Sequence, residues 1–120
     1  MGNEGDEMIY QLRIYEIFEH NKAAFHERFH KHAQRIWQTY GFKLVAAWES
    51  QDKVRTEFIY LLEWPDEATM RSAWEKFRAD EEWIEVKRVM SVKYGELVGE
   101  IEEKVLTPTS YSPEIQSLQG

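Results

Sequence analysis

The stretch that decides the fold is Met8-Ile9-Tyr10-Gln11-Leu12-Arg13-Ile14-Tyr15-Glu16-Ile17-Phe18. β-Branched and aromatic residues dominate it, and no Gly or Pro interrupts it, so it reads as a first strand. Side chains alternate along a strand. Tyr10, Leu12 and Ile14 therefore share one face, and Gln11, Arg13 and Tyr15 share the other. The Leu12 face is expected to meet the chain's own helices, leaving Arg13 and Tyr15 to look outward into the interior of a barrel.

After this strand, Asn21 is placed to cap a helix. Phe25, Phe29, Ala33, Ile36 and Tyr40 form one apolar stripe, and Gly41 stops the helix, so it spans about residues 22–40. Phe42 to Glu49 reads as a second strand, and the polar Ser50-Gln51-Asp52-Lys53 as a turn. Val54 to Trp64 then reads as a third strand, with Phe58, Tyr60, Leu62 and Trp64 on one face and Ile59 and Leu61 on the other. Pro65-Asp66 ends it and Asp66 caps another helix, with Met70, Ala73, Trp74 and Phe77 on its apolar side. Asp80 caps a continuation that Gly95 breaks. Leu97 to Leu106 is the fourth strand, and the tail from Thr107 is expected to be irregular. The order β-α-β-β-α-β predicts an α+β, ferredoxin-like domain with a four-stranded antiparallel sheet and its helices on one face. The expected division is a disordered tail at 1–7, the domain at 8–113 and a C-terminal tail at 114–120.

That plan leaves one sheet face open, although the third strand is apolar on both faces. The chain also carries five Trp, six Tyr and six Phe in 120 residues, a surplus of large rings that asks for more cover than one small core gives. A second copy packed sheet on sheet supplies it, so a homodimer with a closed α/β barrel is expected. The alternative is a monomer whose tail folds back over the sheet. The formal charge of −7 argues against nucleic acid and against an anionic membrane surface. No Cys is present, which excludes disulfides and thiolate chemistry. No apolar run approaches the ~20 residues of a membrane span, and a cytoplasmic location is expected.

The same residues resemble a known family. Met8-Ile9-Tyr10-Gln11-Leu12-Arg13-Ile14-Tyr15 is similar to the Met-Ile-Tyr-Glu-Leu-Arg-x-Tyr strand that opens NIPSNAP-family domains. Phe42 to Trp48, Tyr60 to Trp64 and Leu106-x-Pro108-x-x-Tyr111-Ser112-Pro113 resemble their second strand, third strand and ending. The likeness spans about residues 8–113, with Gln11 where Glu is usual. It implies the dimeric α/β-barrel superfamily. Related barrels include cofactor-free monooxygenases of aromatic compounds, haem-degrading enzymes, lactone isomerases and proteins with binding roles alone, and fold does not decide among these.

For chemistry, His26-Glu27-Arg28-Phe29-His30 matches H-E-x-x-H, which would set two His on one helix face for zinc. The charged Arg28 and Lys31 and the missing third ligand weaken that reading, and His26 and His30 also read as boundary residues. Arg13 needs a carboxylate or an anionic ligand if buried; Glu57, Glu100 and Glu102 are the candidates, and an internal ion pair is the alternative to an anion clamp. Trp48, Tyr60, Trp64, Trp74 and Trp37 are candidates to wall an apolar pocket, or simply core. Arg13, Tyr15, Tyr60 and His30 are the candidate catalytic residues. A small aromatic or carboxylate ligand is expected. No Gly-rich nucleotide loop or serine elbow occurs, and no cofactor is expected. A non-enzymatic dimer acting through protein contacts is the competing reading.

Overall fold

The computed structural model describes residues 8–115, so the expected N-terminal tail and the last five residues of the C-terminal tail lie outside the described residues. Strand β1 is Ile9–Ile17, β2 Leu44–Gln51, β3 Thr56–Trp64 and β4 Val98–Leu106. They form one antiparallel sheet in the order β2-β3-β1-β4, the ferredoxin-like arrangement. Between them lie helix α1, residues 22–37, and the helices α2 (Glu67–Arg78) and α3 (Glu81–Tyr94). Both of the Asp caps form: Asp66 accepts from the Thr69 amide at 2.7 Å and Asp80 from the Trp83 amide at 2.8 Å. Gly41 ends the first helical segment with φ at 81°, a left-handed turn that a side chain disfavours.

Helix α1 has ordinary turns at Lys22–Glu27 and Gln34–Trp37 and a wider π turn at Arg28–Ala33. A four-residue step overshoots the 3.6-residue turn of an α-helix, so a stripe of such steps drifts around its surface. The wider turn carries it back, and Phe25, Phe29, Ala33 and Trp37 are all buried. Trp37 takes the place expected of Tyr40, which lies at the edge of the core and donates to Asp80 at 2.6 Å. Asn21 does not cap this helix. Its side-chain amide instead donates to the carbonyls of Tyr94 (3.1 Å) and Glu96 (2.8 Å), tying the end of α3 to the start of α1.

The helices cover the opposite face of β1 from the one expected. Gln11, Arg13 and Ile17 are buried beneath them, with Phe58, Tyr60, Leu62 and Trp64 beside them on β3. Leu12 and Ile14 lie on the bare face with Ile59, Leu61 and, from β2, Ala46 and Trp48. The physical reason is satisfaction. Buried polar groups are tolerated when each finds a partner, and Gln11 and Arg13 on β1 do. Gln11, 1% exposed, accepts from the indole N–H of Trp64 at 2.9 Å and of Trp74 at 2.8 Å. Alternate positions on β3 fit this side best, because four large rings and side chains there meet the α1 and α2 stripes.

Candidate functional site

Between β1, β4 and the helices lies a cavity of about 300 Å³. Its walls are aromatic: Tyr15, Phe25, Phe29, Trp37, Trp74 and Trp83 contribute. The volume sits at the lower end of the range usual for small-molecule pockets, roughly 300–1,000 Å³. Strand β1 supplies Arg13 and Tyr15, two residues apart and so on one face. Helix α1 supplies Phe25, Arg28 and Phe29, and α2 and α3 supply Trp74, Arg78, Trp83 and Lys87.

The polar end is a three-membered network. The Arg13 Nε donates to the Tyr60 hydroxyl at 2.9 Å, and its Nη2 to the Tyr15 hydroxyl at 3.2 Å. The two hydroxyls are 2.6 Å apart. Arg13 also pairs with Glu103, directly across from it on β4. Burial works against the Arg13 charge, but the Tyr15 and Tyr60 hydroxyls and Glu103 outweigh it, and its pKa is raised. Tyr60 is fully buried. Burial first, and the neighbouring Tyr15 next, push its pKa well above the ordinary tyrosine value, so it stays neutral. The Arg13 guanidinium lies 4.3 Å from the centre of the Trp74 ring, which fixes it from the other side. A Tyr15 hydroxyl that accepts from Arg13 and exchanges a hydrogen bond with Tyr60 is held in one position at the cavity wall.

The sequence candidates divide between this site and other places. Arg13, Tyr15 and Trp74 come together at the cavity, and Tyr60 stands behind Tyr15. Arg13 and Tyr15 face their own helices and not a barrel interior, a correction to the expected face. The partner of Arg13 is Glu103; Glu57 and Glu100 bind Arg55 instead, at 2.9 Å and 2.7 Å. Trp48 is on the bare face and 50% exposed, so it does not wall the cavity, because the antiparallel register pairs it with Ile59. Trp64 is core, packed on Phe42 and held by Gln11. His30 is exposed and bonds Gln34 at 3.0 Å, away from the cavity. His26 bonds Glu49 at 2.6 Å. The two histidines thus turn to different neighbours, and no cluster of three potential metal ligands occurs among the described residues. No described helix is long and apolar enough to cross a membrane.

Sequence reasoning missed Gln11, Arg28, Arg78, Trp83 and Lys87. Gln11 carried a signal, a lone amide in an apolar strand. The cations carried none, since they lie on three separate helices.

Residues 10–113 match the family model described as NIPSNAP. The solved structure of an uncharacterized NIPSNAP-like domain protein from Burkholderia xenovorans is similar, with a TM-score of 0.76 and 20% identity over 93% of this chain and 94% of that one. A NIPSNAP family protein from Agrobacterium tumefaciens gives a TM-score of 0.75 at 20% identity, covering 88% of this chain and 97% of that one. SnoaB, a cofactor-independent oxygenase from Streptomyces nogalater, gives 0.57 at 13% identity, over 90% of this chain and 99% of that one. No curated protein matches the sequence.

Proposed function

The chain belongs to the NIPSNAP family, and from that premise we propose that it is a homodimeric barrel in which each subunit binds a small, flat, largely apolar molecule in the cavity beside Tyr15. One observation carries the ligand reading: an aromatic cavity of about 300 Å³ has a single fixed hydroxyl pair and an arginine at one end. Pockets that bind small molecules share that design, apolar walls with a few convergent polar groups.

The dimer rests on the bare sheet face. Leu12, Ile14, Ile59, Leu61 and Trp48 form an apolar band there. At one end stand Arg55 with Glu57 and Glu100, and at the other Lys43 with Glu63. An apolar centre with a charged rim is the anatomy of a protein interface. Half-exposed Trp48 alone leaves on the order of 3 kcal/mol of burial unclaimed. The described C-terminal segment, residues 107–115, lies beside Tyr10, Leu61 and Glu63 at one end of this face, and Trp48 stays 50% exposed. A second copy of the sheet is the occupant of matching shape.

The finer reading is enzymatic: proton transfer or oxygen addition on an aromatic substrate without a cofactor. Tyr15 is the group that meets the substrate. With Tyr60 donating to the Tyr15 oxygen, the Tyr15 proton is free to point into the cavity and stabilise a developing oxyanion. The likeness of fold to SnoaB supports this reading at the level of architecture.

Calorimetric titration of the full chain with 2-naphthol tests the ligand reading. One molecule is expected per subunit, and Val98→Trp, which fills the cavity wall, is expected to abolish binding. Absence of binding to the unmodified protein would remove the small-molecule reading and leave a role in protein contacts. Sedimentation velocity tests the dimer: two chains are expected at micromolar concentration, and one for Ile59→Lys.

A further inference from the structure

The cavity is cationic in an acidic protein. The chain has 22 acidic and 15 basic residues, yet Arg13, Arg28, Arg78 and Lys87 all line this one cavity and no carboxylate does. Only Arg13 is neutralised, by Glu103. Among the described residues, Arg28, Arg78 and Lys87 have no carboxylate within ion-pair distance, whereas Arg35, Arg55, Arg71 and Arg88 elsewhere all do.

What holds these cations in place is aromatic. Arg28 lies 5.6 Å from the centre of the Trp83 ring, and Lys87 lies 5.9 Å from it. Arg78 lies 5.2 Å from the centre of the Trp74 ring. A ring face attracts a cation through its quadrupole but carries no net charge. It therefore positions the guanidinium while leaving its full charge and its N–H donors available. Arg28 is half-buried, and burial without a carboxylate lowers its pKa. Arg78 and Lys87 are exposed, which puts them at the mouth. Arg28 is also the central residue of His26-Glu27-Arg28-Phe29-His30, so that motif aims its arginine, and not its histidines, at the cavity.

We propose that the ligand is an acid, a flat apolar body bearing a carboxylate, and that the carboxylate binds Arg28, with Arg78 and Lys87 drawing it in at the mouth. This rests on the cavity being the ligand site. Arg13, satisfied by Glu103 and the two tyrosines, does not take the anion; it fixes the Tyr15 end, at which the rest of the molecule is presented. A planar guanidinium fork matches a carboxylate with two parallel N–H donors, which favours arginine over lysine at the inner position. The substrate class is thus an aromatic or polycyclic carboxylate, set between a cationic end and a tyrosine end.

The test compares two rings of one shape in calorimetric titrations of the full chain near neutral pH: 2-naphthoate, an anion, and 2-naphthol, neutral there. The acid is expected to bind about tenfold more tightly at low salt, a preference that shrinks as salt screens the mouth. Arg28→Gln is expected to erase the preference by weakening 2-naphthoate binding far more than 2-naphthol binding, with a far-ultraviolet circular dichroism spectrum like that of the unmodified protein showing that the variant is folded. Arg28→Lys should restore only part of it, and Arg78→Gln with Lys87→Gln should reduce it less than Arg28→Gln. Equal binding of the two rings, or an undiminished preference in Arg28→Gln, would overturn the assignment while the cavity reading stands. Binding of neither ring would overturn both.

Discussion

The two faces of the sheet differ in a way that hydropathy does not foretell. The face under the helices carries Gln11, Arg13, Tyr15 and Thr56, and the bare face carries Leu12, Ile14, Ile59 and Leu61. In the middle of β1 the polar Gln11 and Arg13 are the buried residues, while Leu12 and Ile14 beside them lie on the less buried side. Arg13 is 7% exposed, while Trp48 across the sheet is half in water. Burial is decided by what the neighbouring layer can satisfy. Gln11 finds two indole N–H groups, and Arg13 finds two hydroxyls, a carboxylate and a ring. Among the described residues no helix covers the apolar band of the other face, and what Leu12, Ile14, Ile59 and Leu61 gain from cover is exclusion of water. The first face frames the cavity, and the second is the face through which the proposed dimer would form.

The largest break in this comparison comes from Trp74→Ala. Its ring packs on Phe42 at 4.9 Å and on Phe77 at 5.8 Å, carries Arg13, and donates to Gln11. Loss of about 3–5 kcal/mol of stability is expected in denaturant unfolding, the range for a large ring removed from a core. Gln11→Leu comes next. It adds an apolar side chain but strands two buried indole N–H groups, and a loss of about 2 kcal/mol or more is expected. A neutral or stabilising result would show that polar satisfaction does not choose the buried face.

Tyr60→Phe removes a hydroxyl that Arg13 and Tyr15 both use, and about 1 kcal/mol is expected near neutral pH. Its sharper signature is in alkali. The folded-state pKa of Tyr60 is raised, so its contribution is fully present below the ordinary value of 10.0 and is lost as pH rises beyond it, where the unfolded chain ionises and the folded chain resists. Stability of the unmodified protein should fall more steeply above pH 10.0 than that of Tyr60→Phe, as read by unfolding midpoints. The smallest effect on the isolated fold belongs to Leu12→Lys, one residue from Gln11. It should change the stability of the dissociated chain by no more than about 0.5 kcal/mol and abolish the concentration dependence of Tm. If Leu12→Lys unfolds the chain while Gln11→Leu does not, the two faces have been read the wrong way round.

Much of the fold was legible along the chain. The strand order, the caps at Asp66 and Asp80 and the stop at Gly41 depend on residues within a few positions of each other, and all are present. The site was legible in part. Arg13, Tyr15 and Trp74 were singled out by residue type in apolar settings. Trp48 misled because a ring on a strand looks the same whichever face it takes. The π turn in α1 left no local signature, and it moved Trp37 into the core in place of Tyr40.

Local chain chemistry sets the alternation of strands and helices, since periodicity, capping and turn residues act over one or two turns of chain. Only the tertiary structure decided which side of β1 is inside and what Arg13 binds. Those choices depend on Tyr60 and Glu103, 47 and 90 residues away, and on the gathering of Arg28, Arg78 and Lys87 from separate helices. A buried polar group is stable only with its partners in place, and partners that far along the chain meet only once the layers have packed.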